Sequence, residues 1–289
     1  PLTVVLQGMK KIIAIYPAEE AHMPGLKTWR ALPVGDLEYL DPFILLNHHG
    51  PEDFPPHNDG LPFGPHPHRG FETLTFIFSG DLVHSDSTGE VSRIEAGGVQ
   101  WMTAGKGIVH SELASKDFEE KGGGQEILQL WMNLPRELKM IEPVYRGYPQ
   151  EALRHFSPRE GIRLALISGE LMGHKGPHTS LTDLMMSYVD LEPGVHWQHE
   201  PPEGKTVFYY LVNGEVNVNG QKASTRNLIR FDENGGAILT EAEQHSRLIY
   251  GWGEPLREPM VAQGPFVMNS IGEIKQAFLD CQAGKFKGM

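Results

Sequence analysis

The sequence predicts an all-β protein: two jelly-roll β-barrels in one chain, with a short C-terminal helix. Its 33 glycines and 22 prolines among 289 residues favour many turns and few long helices. Between Phe71 and Leu113, short alternating runs separated by glycines are typical of a sandwich or barrel. A weaker copy of this layout follows 134 residues later, where the run around Gly214 aligns with the run around Gly80. One barrel in each half of the chain accounts for these observations.

The first half begins with a strand and a long polar loop. Residues 11–16 alternate as a strand does. The stretch 47–67 is dense in Pro, Gly, Asn and His, and we expect it to be a loop that ends at the candidate site. Its histidines, His48, His49 and His57, are interpreted as solvated loop residues, with the alternative that one of them lines the mouth of the site.

Tight turns divide the rest of the first half into strands. Residues 71–84 predict two strands joined at Gly80, and further strands are predicted at 91–94, 99–102 and 108–113. We expect the first barrel to span 9–135 and the second 136–289, with a connection rich in Pro and charge at 133–161. Residues 1–8 are expected to be foreign to the natural chain, with Met9 as its natural first residue.

The second half is expected to end in an amphipathic helix at residues 271–282. Ile274, Phe278 and Cys281 share the apolar face of this helix. Cys281 is therefore interpreted as a packing residue rather than a nucleophile.

Composition excludes several classes of function. The formal net charge is −12 and no run is rich in Lys or Arg, which opposes direct binding to the phosphates of a nucleic acid. A single cysteine cannot form an intrachain disulfide, and no stretch approaches the roughly 20 apolar residues that span a bilayer. We therefore expect no direct role on nucleic acid or membrane, and a reducing, cytoplasmic location.

Two pairs of side chains in the first half point to a metal site. Residues two apart on a strand share a face, so His66 and His68 can converge from one strand, and His110 and Glu112 from another. Three imidazoles and one carboxylate form a ligand set that suits Fe(II), Mn, Ni, Cu(II), Co or Zn, because no thiolate is among them. Glu72 has the same parity as His66 and His68, and it is the alternative to Glu112 as the carboxylate ligand.

The second half does not repeat this ligand set. At the offset of 134 residues, the four positions fall on residues that cannot replace it: Glu200, Pro202, Gln244 and Ser246. His196 and His199 are three apart and would point to opposite faces of a regular strand. They are interpreted as ordinary polar or loop residues, so one barrel is expected to carry the chemistry.

Long motifs in both halves resemble one known family, the pirins. They are His-Pro-His-Arg-Gly-Phe-Glu-Thr from His66, Gln-Trp-Met-Thr-Ala-Gly-Lys-Gly-Ile-Val-His-Ser-Glu ending at Glu112, Leu-Trp-Met-Asn-Leu-Pro from Leu130, and Gly-Pro-Phe-Val-Met-Asn from Gly264. The resemblance implies a cupin fold with two barrels and a metal in the N-terminal barrel alone. It also implies the ligands His66, His68, His110 and Glu112, and places Glu72 behind a ligand imidazole.

The resemblance further implies one divalent transition metal, Fe(II) first, and a quercetin 2,3-dioxygenase activity. A flavonol-like aromatic substrate would bind with O₂, and Glu112 would accept the proton of the 3-hydroxyl group. Carbon monoxide and a depside would be the products. Two alternatives stay open: a metal-sensing regulator, either a transcriptional coregulator or a modulator of metabolic enzymes, that acts through a protein partner, and a metal-binding scaffold without catalysis.

Overall fold

The computed structural model describes residues 8–286, and residues 1–7, which belong to the segment expected to be foreign, lie outside this range. The strands up to residue 148 are β1 Ile12–Pro17, β2 Glu19–Ala21, β3 Thr28–Leu32, β4 Phe43–Phe54, β5 Phe63–His68, β6 Phe71–Ser79, β7 Asp81–Asp86, β8 Val91–Glu95, β9 Val99–Thr103, β10 Ile108–Leu113, β11 Gly123–Asn133 and β12 Val144–Tyr148. Those that follow are β13 Arg154–Phe156, β14 Ile162–Ser168, β15 Glu170–Leu171, β16 His174–Lys175, β17 Leu184–Leu191, β18 His196–His199, β19 Thr206–Asn213, β20 Glu215–Val218, β21 Gln221–Ser224, β22 Asn227–Phe231, β23 Ile238–Ala242, β24 Ser246–Gly253, β25 Val261–Gln263 and β26 Phe266–Met268. The α-helices are α1 Lys116–Lys121 and α2 Ile271–Gln282, and single 3₁₀ turns occur at Arg136–Leu138 and Gln150–Ala152.

The described chain forms two compact units. The N-terminal barrel contains residues 20–33, 42–151 and 256–286, and the C-terminal barrel contains residues 8–19, 34–41 and 152–255. Each unit is therefore assembled from three separate segments of the chain.

The N-terminal barrel consists of two antiparallel sheets. One sheet has the order β12-β9-β6-β11-β4-β3-β2 and the other has the order β5-β10-β7-β8. Apolar side chains from both sheets, including Ile77, Leu82 and Ile127, pack with Phe118 of α1 in one core cluster. Two sheets that bury their inner faces against each other are the architecture of a jelly roll.

The C-terminal barrel repeats this order with its own strands. Its sheets run β1-β22-β19-β24-β17-β14-β13 and β18-β23-β20-β21. Gly80 and Gly214 occupy matching corners, β6 to β7 and β19 to β20, with φ angles of 77° and 96° that favour glycine. The predicted all-β fold with two barrels and a C-terminal helix is confirmed.

The units differ from the consecutive halves 9–135 and 136–289 that the sequence suggested. Strand β1 pairs with β22 of the C-terminal barrel, although it begins the chain. Strand β12, from the expected connection, pairs with β9 of the N-terminal barrel. Each barrel edge thus gains a strand that satisfies its backbone hydrogen bonds, and a single cut in the sequence cannot reproduce this arrangement.

The predicted loop at 47–67 is wrong over its first and last parts, because β4 continues to Phe54 and β5 begins at Phe63. Strand β4 is paired on both sides, with β3 and β11, and the register shift opposite Gly50 and Pro51 absorbs these residues. His48 and His49 are buried rather than solvated. His48 Nε2 lies 2.8 Å from Glu126 Oε1, and His49 Nδ1 lies 2.8 Å from Thr28 Oγ1.

Helix α2 has the predicted limits. Ser270 caps it by accepting a hydrogen bond from the Glu273 backbone N–H. Ile274 is buried as expected, and Cys281 packs against the same cluster, whereas Phe278 is partly exposed at 37% and rests edge-on against Phe266. Across residues 8–286, no helix is long and apolar enough to cross a membrane.

Candidate metal centre

Three of the four predicted ligands converge inside the N-terminal barrel. His66 and His68 lie on β5, and His110 faces His66 directly across the pairing with β10. One ligand nitrogen from each imidazole lies within 4.8 Å of the others, in the single such grouping found across residues 8–286. A metal-nitrogen bond of about 2.1 Å places nitrogens on one ion roughly 3 to 4 Å apart, so small side-chain rotations bring these three together.

Backbone carbonyls fix the orientation of two of these rings. His66 Nδ1 lies 2.7 Å from the Gly64 carbonyl oxygen, and His68 Nδ1 lies 3.3 Å from that of Pro265. A carbonyl oxygen only accepts, so both Nδ1 atoms carry a hydrogen, and in the neutral form of each ring Nε2 then keeps the lone pair. This is the arrangement that holds a histidine ready for a metal.

The third ring contacts another histidine. His110 Nδ1 lies 3.5 Å from His84 Nδ1, and His84 Nε2 lies 2.6 Å from Asp86 Oδ2. His84 and Asp86 were not among the predicted site residues. Their spacing of two on one strand was the available signal, since it places both on the face of β7 that meets His110.

The donor set fits a divalent metal. His68 Nε2 and His110 Nε2 are buried and have no hydrogen-bond partner. Burial, followed by repulsion from His66, lowers the pKa of His68 to about 3, and burial lowers the pKa of His110 well below its usual value. Both rings are therefore neutral near pH 7, as a metal ligand requires.

Glu112 lies in the barrel interior but is held by two neutral side chains. Its Oε1 accepts from Thr75 Oγ1 at 3.3 Å and its Oε2 accepts from Gln129 Nε2 at 2.8 Å. Glu112 shares a face of β10 with His110, and β6 and β11 supply Thr75 and Gln129 from the opposite sheet. The group of close ligand atoms does not include its carboxylate.

Glu72 points away from the three histidines. It lies three residues before Thr75 on the regularly paired strand β6, so the two side chains occupy opposite faces. Its Oε1 accepts from Trp101 Nε1 and Thr103 Oγ1 and from no imidazole in the described structure. The expected position behind a ligand imidazole is wrong, because the bend at Gly70 between β5 and β6 breaks the parity argument.

Aromatic rings form one wall beside the histidines. The Trp131 ring lies 5.1 Å from that of His68 and 4.4 Å from that of Phe71, measured between centroids. Trp131 Nε1 donates to Gln129 Oε1, which orients the Gln129 amide nitrogen toward Glu112. The wall therefore combines an apolar surface with a hydrogen-bond chain that ends at the carboxylate.

Strand register identifies the matching positions in the C-terminal barrel. Val218 follows Gly214 by four residues, as His84 follows Gly80, and it pairs with Thr240 where His84 pairs with Glu112. Two residues earlier on β23, Ile238 takes the place of His110 and pairs with His199, the counterpart of His66. The positions obtained from the constant offset of 134 are therefore corrected. The segment from Gly214 to Ile238 is shorter than the matching segment from Gly80 to His110, so the offset changes along the barrel.

Aromatic side chains occupy the interior around His199. Its Nε2 lies 2.5 Å from Tyr209 Oη, its Nδ1 lies 3.4 Å from Tyr250 Oη, and Trp197 stacks on its ring at 4.2 Å. Both nitrogens are engaged, so His199 is a buried polar residue of the core. His196 is exposed, and its Nδ1 lies 3.0 Å from Glu241 Oε1.

Comparison with known proteins agrees with the fold. Residues 25–132 match the family model for pirin, and residues 186–287 match that for the pirin C-terminal cupin domain. The chain is 37% identical to Pirin-1 of Arabidopsis thaliana over 86% of its length and 85% of that protein, and 34% identical to human Pirin over 96% and 93%. A crystal structure of quercetin 2,3-dioxygenase from Acinetobacter baumannii superimposes with a TM-score of 0.92 at 34% identity, covering 97% of this chain and 99% of that one. This chain therefore belongs to the pirin family.

Proposed function

We propose that this protein is a metal-dependent oxygenase that cleaves a flavonol-like aromatic substrate with O₂. His66, His68 and His110 would hold the metal, and Glu112 would be the fourth ligand. The observation that carries the proposal is the pair of buried, unpartnered nitrogens, His68 Nε2 and His110 Nε2, beside a third imidazole. A buried nitrogen without a hydrogen-bond partner is costly in a native structure unless something binds it.

The metal, when bound, supplies Lewis acidity and a redox couple; Fe(II) is the first choice, and Mn, Ni, Cu or Co also suit these ligands. The protein supplies the base. Glu112 would accept a proton from a substrate hydroxyl group, and Thr75 and Gln129 hold its oxygens in place. Each oxygen accepts one of these hydrogen bonds and keeps a lone pair that a metal could use.

Substrate class is supported by the aromatic wall and by the relatives. Trp131 is partly exposed and offers a planar surface against which a flavonol ring can stack, and the buried Phe71 ring packs against it. The Acinetobacter baumannii structure is described as quercetin 2,3-dioxygenase, and it matches this chain over nearly its full length. A regulator that binds a protein partner is the second candidate. The net charge of −12 opposes direct contact with nucleic acid, so a regulatory role would act through a protein.

The test is turnover of quercetin by protein reconstituted without oxygen. The protein is loaded separately with Fe(II), Mn, Ni, Cu or Co, mixed with quercetin and air, and followed by loss of quercetin absorbance and release of carbon monoxide. His110→Ala is expected to abolish both signals, whereas His245→Ala, an exposed histidine of the C-terminal barrel, retains them. If the protein binds metal stoichiometrically but none of the five metals supports loss of quercetin, the oxygenase proposal is refuted and the regulator is favoured.

A further inference from the structure

Four polar side chains cluster on one face of two paired strands in the N-terminal barrel. In the pairing of β7 with β10, Asp86 lies opposite His110 and His84 lies opposite Glu112. Directly opposed residues project to the same face, so all four point into the barrel, and His84 is the diagonal neighbour of His110. This register explains why the two imidazoles meet.

The hydrogen atoms in this cluster can be assigned from its acceptors. Asp86 Oδ1 accepts from the backbone N–H and the hydroxyl of Thr88, and Oδ2 faces His84 Nε2 at 2.6 Å. A carboxylate only accepts, so His84 Nε2 carries a hydrogen and, in the neutral ring, His84 Nδ1 is an acceptor. His110 Nδ1, 3.5 Å away, is then the donor, and His110 Nε2 keeps the lone pair.

The His84 ring is fixed in this position. It stacks on Tyr145 with centroids 3.9 Å apart and an interplanar angle of 11°. Its side chain is 1% exposed and that of Asp86 is fully buried. A ring held by a stack and a short hydrogen bond has one orientation, so its acceptor nitrogen stays aimed at His110.

We propose that His84 and Asp86 are positioning residues that hold His110 in the tautomer with hydrogen on Nδ1 and so increase the metal affinity of the site. The inference rests on the metal centre proposed above. Carboxylate and imidazole groups behind a ligand histidine fix its tautomer and ring orientation, and their removal typically lowers metal affinity about 10- to 100-fold.

Asp86→Asn gives the sharpest test. The Thr88 backbone N–H, 2.8 Å from Oδ1, requires an oxygen there, so the new amide nitrogen faces His84 Nε2. His84 Nε2 must then accept, the His84 hydrogen moves to Nδ1, and the His110 hydrogen moves to Nε2, the nitrogen needed for the metal. Thr88→Val is the matched control, because it removes only the hydroxyl bond to Oδ1 and leaves the contact between Asp86 and His84.

Two measurements on the full chain check this. Long-range ¹H–¹⁵N correlation spectra of metal-free protein should show His110 with hydrogen on Nδ1 and His84 with hydrogen on Nε2 in the wild type and Thr88→Val, and the reverse in Asp86→Asn. Co²⁺ titration against a competing chelator should show about 10- to 100-fold weaker binding by Asp86→Asn, and wild-type binding by Thr88→Val. Circular dichroism confirms that each variant folds.

His84→Phe provides a second variant, because it keeps an aromatic ring against Tyr145 and removes the acceptor. It is expected to weaken Co²⁺ binding as Asp86→Asn does. Hydrogen on His110 Nε2 in the wild type, or equal affinity of wild type, Asp86→Asn and His84→Phe, would overturn the inference. Equal weakening by Asp86→Asn and Thr88→Val would also overturn it, since the turn alone would then explain the effect. A wild-type protein that shows the expected tautomers but no Co²⁺ binding would refute the metal centre instead.

Discussion

Gly70 joins the two strands that frame the histidines, and replacing it with alanine tests how the C-terminal segment supports the site. Gly70 has φ +90° and lies two residues after the end of β5, the strand that bears His66 and His68. A Cβ atom there would lie 2.0 Å from the Val267 carbonyl oxygen. Val267 also donates its backbone N–H to the Arg69 carbonyl at 3.1 Å, so the added methyl group pushes the segment away from Arg69.

Two contributions give the magnitude. A left-handed backbone costs a residue with a Cβ about 1–2 kcal/mol. Overlap with a backbone oxygen that cannot rotate away adds about 1–3 kcal/mol, the usual range for overpacking. Gly70→Ala is therefore expected to lower the free energy of unfolding by about 2–5 kcal/mol. It should also weaken Co²⁺ binding about 10-fold or more, because Pro265, two residues before Val267, holds His68 Nδ1.

Gly25→Ala is the matched control, since Gly25 has φ +74° in the same barrel but no atom lies within 4 Å of the place that its methyl group would take. It should lose only the backbone contribution of about 1–2 kcal/mol and keep wild-type Co²⁺ affinity. Urea unfolding followed by tryptophan fluorescence gives the first quantity, and chelator competition gives the second. Equal destabilisation by the two variants, or unchanged Co²⁺ affinity in Gly70→Ala, would refute the role given to the C-terminal segment.

Two further outcomes follow from buried ionisable groups of the N-terminal barrel. Glu72→Gln should leave Co²⁺ stoichiometry and affinity unchanged, because Glu72 faces away from the histidines. Glu112→Gln should weaken Co²⁺ binding. The opposite result would make Glu72 the carboxylate ligand. Burial lowers the pKa of Lys139 to about 8, below the value of about 10.4 of an unfolded chain. The folded protein thus binds fewer protons than the unfolded one between these values, so stability should rise with pH there and fall as pH drops through 8. Lys139→Met should reduce the rise of the unfolding free energy with pH, measured from unfolding curves between about pH 7.5 and 9.5. An unaltered pH dependence would mean that other groups cause it.

Local patterns were sufficient for strand β1, for strands β6 to β10 and for helix α2. Alternation and glycine turns located β6 to β10, and the apolar spacing of residues 271–282 located α2 with its observed limits. These signals depend on neighbours within a few residues. The second part of strand β4 was missed because its pairing with β11, which continues on both sides of the turn formers at Gly50 and Pro51, overrides their local preference.

The candidate site, like the fold, was predictable only in part. Spacing of two brought His66, His68 and His110 into consideration, and the structure gathers these three. The face of Glu72 was not predictable, since it depends on the bend at Gly70. The contact between His84 and His110 depends on the register of β7 with β10, which the order of residues within either strand does not encode.

The sequence by itself determined the class of fold, its duplication and the type of ligand, because composition, alternation and residue identity are properties of short stretches. Only the tertiary structure decided which segments complete each barrel: β1 joins the C-terminal barrel, and residues 256–286 return to the N-terminal barrel. It alone placed the Pro265 carbonyl behind His68 and Asp86 behind His84. The physical reason is that edge pairing and imidazole orientation are satisfied by donors and acceptors far apart in the chain, and folding selects the partner that leaves the fewest buried polar groups unpaired.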